Sequence, residues 1–122
     1  MNDMRDVDRK FQKELNAGTA ALVLLSIVSR ASEPIYGYQI ARLMDAGTGE
    51  SPMMKQGALY PVLRSLERMG LFQSTVEPSV AGPPRRYYRV TDDGRAALSR
   101  WVGIWNENKD FIDAVLKGTD HA

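Results

Sequence analysis

The spacing of apolar side chains changes character along this chain, and each change marks an element. Phe11 and Leu15, four apart among charged neighbours, predict a short amphipathic helix over residues 9–16. Gly18 is expected to break or bend the chain, leaving Thr19 to cap a helix that reaches about Arg30. That helix carries Ala21, Leu22, Leu24, Leu25, Ile27 and Val28 on more than one face, which places it in the core. Ser32-Glu33-Pro34 ends it. Ile40, Leu43 and Met44 then give the helical i, i+3, i+4 pattern from about Tyr36 to Met44 or Asp45, and Ala46-Gly47-Thr48-Gly49 supplies the stop. A third helix opens at Ser51-Pro52, as a cap followed by proline, and runs through Leu59, Val62, Leu63, Leu66 and Met69 to Gly70. Pro61 is awkward in its interior and favours a start nearer Gln56.

After Gly70 the period drops to two. Phe72, Ser74 and Val76 alternate with Gln73, Thr75 and Glu77, and Tyr88 and Val90 alternate with Tyr87 and Arg89. The two runs flank a Gly/Pro loop at residues 78–84, which makes them a β-hairpin. Thr91-Asp92-Asp93 starts a last helix with a capping hydroxyl and two carboxylates at the positive end of its dipole, and the helix reaches about Lys117. The expected fold is therefore mainly α, an α+β winged helix-turn-helix. It has N-terminal helices, a three-helix core, a two-stranded wing and a long C-terminal helix. The expected division is a winged-helix unit with its N-terminal extension over residues 1–91 and a last helix with a short tail over residues 92–122.

Charge sharpens this picture. The 122 residues carry 16 basic and 15 acidic side chains, a net of +1 that by itself suggests no polyanionic partner. Residues 51–91, however, hold six basic side chains against Glu67 and Glu77, a net of +4, while both flanks are negative. The excess falls on the third helix and the hairpin, the elements that a winged helix turns toward DNA.

Composition removes most catalytic chemistry. Cysteine is absent, which excludes disulfides, thiolate metal sites and a cysteine nucleophile. The single histidine, His121, stands next to the last residue. No phosphate-cradling glycine loop occurs, and Asp92-Asp93 read as a helix start rather than an acid/base pair. No enzymatic activity, metal or cofactor is expected. Residues 1–14 lack the apolar centre of a signal peptide, and the run from Ala20 to Val28 is too short to cross a membrane. A cytoplasmic protein without a membrane partner is the expectation.

Four segments resemble the PadR family of transcriptional regulators. Tyr36-Gly37-Tyr38-Gln39-Ile40 is similar to the family's G-Y-E-I, and Gly57-Ala58-Leu59-Tyr60-Pro61-Val62-Leu63, with Leu66-Glu67 and Gly70-Leu71, to its recognition helix. Arg85-Arg86-Tyr87-Tyr88-Arg89-Val90-Thr91 and Gly94-Arg95 are similar to the run from its wing into its last helix, and Leu15-Asn16-Ala17-Gly18-Thr19 to its N-terminal L-x-x-G-T. Ala58 stands where the family usually has threonine, which removes a hydroxyl, and Gln39 replaces an acidic residue.

The DNA candidates follow from position and chemistry. Lys55, Gln56, Tyr60 and Arg64 lie on the recognition helix, where Gln can bond adenine and Lys guanine or phosphate. For Lys55 and Arg64 the competing reading is a solvated helix face. Gly57 is a point of close backbone approach, Arg85 and Arg86 follow the stiff Gly82-Pro83-Pro84 tip, and Tyr87 and Tyr38 are further backbone contacts. In the last helix Leu98, Trp101, Val102, Trp105, Ile112, Val115 and Leu116 form an apolar stripe, widened by Ile104 and Phe111, that fits a second chain. The resemblance implies dimerisation through that helix, usually assisted by the N-terminal one, and in some members a flat aromatic effector stacked on a tryptophan in the position of Trp105; a two-fold dimer in turn predicts a palindromic operator. For Trp105 and Trp101 the plainer alternative is dimer packing. Two functions are therefore weighed: a homodimeric repressor of double-stranded DNA, and a winged-helix protein-interaction module that acts through the apolar helix alone.

Overall fold

The computed structural model describes residues 4–48 and 56–118. The elements run α1 (Met4–Arg30), β1 (Ile35–Tyr36), α2 (Gly37–Thr48), α3 (Gln56–Arg68), β2 (Phe72–Glu77), β3 (Arg85–Val90) and α4 (Asp92–Gly118). Helices α1, α2 and α3 enclose a core with the sheet, and α4 lies against α1. The winged helix-turn-helix expected from the pattern is the fold observed.

The expected break at Gly18 is absent: α1 is one helix of 27 residues. A glycine inside a helix costs only about 1 kcal/mol, which packing against α4 offsets. Thr19 does not cap anything. Its hydroxyl donates to the Leu15 carbonyl at 3.0 Å, the back-bond of a mid-helix threonine, and Gln12 Nε2 donates to Asn16 Oδ1 at 2.8 Å across the preceding turn. The C-terminal half of α1 supplies Leu24, Leu25 and Val28, all buried, to the core.

The second correction concerns the sheet, which has three strands in the order β1-β3-β2 rather than two. In β1, Ile35 pairs antiparallel with Tyr88 and Tyr36 with Tyr87. Two residues are too few to show an alternation, so this strand leaves no periodic mark in the sequence. It leads directly into α2, where Gln39 Oε1 accepts the Tyr36 backbone N–H at 3.1 Å, one half of a capping box. Gln39 thus has a structural role at the start of α2.

The third helix begins at Gln56, as Pro61 favours; the earlier start at Ser51-Pro52 lies outside the described residues. Pro61 sits on the exposed side of α3, five residues in, so the helix loses one backbone bond near its beginning. Its end is a Schellman turn. Leu71 N–H donates to the Leu66 carbonyl, Gly70 N–H donates to the Glu67 carbonyl, and Gly70 adopts φ +80°. Chain reversal here sends β2 back against β3, from Phe72 opposite Val90 to Glu77 opposite Arg85.

Thr91 joins these parts. Its hydroxyl donates to the Gly70 carbonyl at 2.7 Å and accepts the Gly94 N–H at 3.0 Å, while its own N–H donates to the Leu71 carbonyl. One residue therefore caps α4 and ties it to the end of α3. Gly94 is buried at this junction, where a Cβ would stand 2.7 Å from Val90 Cγ2 and closer still to the Leu71 carbonyl oxygen. Gly94→Ala is expected to lower the unfolding free energy by about 1–3 kcal/mol. A fall in the urea midpoint at unchanged m-value is the measurement that checks it.

Candidate nucleic-acid interface

Helix α3 is amphipathic in the sense a recognition helix requires. Leu59, Leu63 and Leu66 are fully buried, while Ala58, Pro61, Arg64 and Arg68 stay exposed on the other side. The exposed residues recur every three or four positions, so Arg64 and Arg68 stand one turn apart along a single stripe. Between this stripe and the wing lies an open groove of about 890 Å³, lined by Tyr36, Tyr60, Arg64, Arg68, Arg85 and Arg86, with Glu67 at its wall.

Its two wing arginines are held differently. The Arg85 guanidinium lies 4.5 Å from the ring centre of Tyr36, a cation–π contact. Tyr36 in turn meets Tyr87 edge to face at 5.3 Å. Arg86 Nη1 instead donates to Ser74 Oγ at 2.9 Å, and Ser74 Oγ donates to Glu67 Oε2 at 2.6 Å. Among the described residues no carboxylate stands within ion-pair distance of Arg64, Arg68, Arg85 or Arg86. The groove therefore sets four arginines against the single carboxylate of Glu67, an excess of positive charge that suits an anionic partner. Tyr88 forms part of its floor but is buried. Burial, reinforced by the Glu67 carboxylate, raises its phenol pKa above the ordinary 10.0, so the ring stays neutral at physiological pH.

A close contact joins the start of α2 to α3. Tyr60 lies so near the first residue of α2 that a Cβ on Gly37 would meet its ring carbon Cε1 and its hydroxyl oxygen at 2.7 Å. No larger residue fits at position 37 while Tyr60 keeps this rotamer. Gly37 thus opens α2 and also seats the recognition helix.

Of the residues singled out from the sequence, Tyr60, Arg64, Arg85 and Arg86 come together in the groove. Gln56 and Gly57 form the first turn of α3, and Lys55 lies outside the described residues. Tyr38 is exposed on α2 with the Arg42 guanidinium 5.9 Å from its ring centre, outside the groove wall. Tyr87 is half-buried against Tyr36. Sequence reasoning passed over Tyr36, Arg68 and Glu67. Arg68 was signalled by its place one turn after Arg64; Tyr36 was not, since its contact with Arg85 depends on β1 pairing with β3.

The apolar stripe of α4 divides into two parts. Leu98 and Trp101 are half-buried against the core, whereas Val102, Trp105, Ile112, Val115 and Leu116 are exposed. Ile104 and Phe111 are exposed with them. Between α1 and α4 runs a second, largely apolar groove of about 470 Å³, lined by Leu15, Leu22, Trp101, Ile104, Trp105 and Asn108. Among the described residues no cluster of His, Asp or Glu is placed to hold a metal, and no helix is long and apolar enough to cross a membrane.

Comparison with known proteins agrees with this geometry. The profile of the transcriptional regulator PadR-like family matches residues 24–100. A PadR family transcriptional regulator from Eggerthella lenta shares 31% identity and superposes with a TM-score of 0.76, covering 92% of this chain and 94% of its own. A PadR-like transcriptional regulator from Bacillus cereus shares 26% identity at a TM-score of 0.68, covering 86% of this chain and 98% of its own. A probable transcriptional regulator from Mycobacterium tuberculosis is 30% identical over 80 residues, which are 66% of this chain and 41% of that longer protein.

Gly37→Ala is expected to destabilise the fold by about 1–3 kcal/mol through its collision with Tyr60. Combining it with Tyr60→Leu should cost less than the two single effects added together. Urea unfolding of the four proteins in that cycle measures the difference.

Proposed function

This chain belongs to the PadR-like family of transcriptional regulators, and on that premise we propose that it is a homodimeric repressor of a palindromic operator. One observation carries the reading: four arginines, two from α3 and two from the wing, face one groove with no carboxylate within ion-pair distance among the described residues. Helix α3 enters the major groove, where Tyr60, Arg64, Gln56 and Lys55 approach base edges and phosphates and Gly57 allows close backbone approach. Arg85 and Arg86 bind the flanking backbone from the wing, with Tyr87 and Tyr38 as outer contacts. The protein acts in the cytoplasm.

The exposed apolar side of α4, together with Val7, Phe11 and Leu15 on α1, is larger than a solvated helix needs and suits a second copy of the chain. Two-fold symmetry then sets the operator half-sites about one helical turn, ~10 bp, apart. A flat aromatic effector would find Trp101 and Trp105 in the groove between α1 and α4 and release the operator by altering the spacing of the two recognition helices.

Duplex binding distinguishes this reading from a module that uses only the apolar helix. Eight arginine–phosphate contacts in a dimer imply a slope of log K against log salt of about −7. Arg85→Ala/Arg86→Ala should flatten it by about 3 to 4. Affinity indifferent to salt would instead favour the protein-interaction module. Trp105→Glu is expected to turn the dimer into monomers in sedimentation equilibrium and to weaken duplex binding with it. A dimer that survives this change would remove α4 from the interface.

A further inference from the structure

The carboxylate of Glu67 stands in the wall of the groove just assigned to phosphates, where a free negative charge would repel them. Its hydrogen bonding explains why it is tolerated. A carboxylate cannot donate and a guanidinium cannot accept. The Ser74 hydroxyl, 2.6 Å from Glu67 Oε2 and 2.9 Å from Arg86 Nη1, must therefore donate to the first and accept from the second. The direction of the relay is fixed by its ends.

We propose that Ser74 and Glu67 are positioning residues for Arg86, forming a hydrogen-bonded relay that ties the wing to the recognition helix. This rests on the DNA-binding reading and adds to it how the two basic surfaces are held in one orientation. Glu67 lies on α3, Ser74 on the central part of β2 opposite Tyr88, and Arg86 on β3 two residues nearer the wing tip, opposite Val76. The relay therefore links α3 and β3, which both line the groove, through β2, which does not. Bonded to Ser74, Arg86 has fewer side-chain conformations to lose when it meets a phosphate, which is where preorganisation raises affinity. Glu67 orients the hydroxyl and gives the guanidinium a favourable field without a direct ion pair. Both Glu67 and Ser74 are half-buried, so water competes with the relay less than it would on an open surface. Arg85, held by Tyr36, is outside this relay and provides an internal control.

Threonine and valine at position 74 decide the matter, because they share one shape, both suit a strand, and differ in the hydroxyl. Ser74→Thr and Ser74→Val are made in the parent, in Arg86→Ala and in Arg85→Ala. Each is titrated against a 24-bp duplex that the parent retains from a random library. The valine variant should bind roughly 3- to 30-fold more weakly than the threonine variant in the parent and in Arg85→Ala, the range of coupling between directly bonded groups. In Arg86→Ala the gap should shrink to what releasing Glu67 from the hydroxyl causes by itself. Equal binding by threonine and valine in the parent, or an equal gap with and without Arg86, would overturn the relay. A second readout needs no DNA: in the free protein the Arg86 15Nε order parameter should drop for valine and hold for threonine, and no difference there also overturns it. A parent that retains no duplex while this order parameter behaves as expected would reject the DNA-binding reading and leave the ordering of Arg86 by Ser74 standing.

Discussion

The structure depends on one junction, where Thr91 bonds at once to the end of α3 and the start of α4. Its hydroxyl donates to Gly70 and caps Gly94, and its backbone N–H donates to Leu71. The junction works because two glycines meet there, one with φ +80° to reverse the chain and one with no Cβ to keep α4 away from Leu71. Recognition helix, wing and C-terminal helix all leave this point, so their mutual angles are set together. The link between α4 and the end of α3 is made by these hydrogen bonds, since α4 itself packs on α1 and β3.

Around that junction the fold separates two surfaces of opposite chemistry. Leu59, Leu63 and Leu66 take one side of α3 into the core with Phe72 and Tyr88, leaving Arg64 and Arg68 on the other. The sheet does the same: Tyr88 faces inward while Tyr87 meets Tyr36 edge to face on the opposite side. At the far end, α4 beyond Trp101 makes no comparable burial, and Phe111 and Leu116 remain 68% and 65% exposed. A basic groove and an apolar helix are thus rigidly linked at their common root. A regulator needs that arrangement if assembly or a ligand at one surface is to alter binding at the other.

Within the groove, charge placement matters more than charge number. The chain is almost neutral, yet its four groove arginines lack ion-pair partners among the described residues. Arg85 and Arg86 are adjacent in sequence and line the same groove, yet each finds a different restraint, an aromatic ring or a hydroxyl. Restraint of long cationic side chains lowers the entropy lost on binding, so the wing presents two charges in defined places.

Local chemistry in the sequence determined the elements, because helix and strand periods, caps and turn residues act over a few neighbours. It marked α2, α3, the two wing strands and α4 to within a few residues, along with the concentration of positive charge on α3 and the wing. The long α1 was legible only in part. Gly18 carries a local tendency to break a helix, and whether the helix continues depends on packing against α4, which no local pattern records. Strand β1 exists only because β3 supplies its hydrogen-bond partners. The same reason hid Tyr36 from the candidate site and gave no hint that Glu67, Ser74 and Arg86 would meet. Those contacts join residues far apart in the chain, so they arise only once the Schellman turn at Gly70 and the Thr91 junction have folded it back on itself.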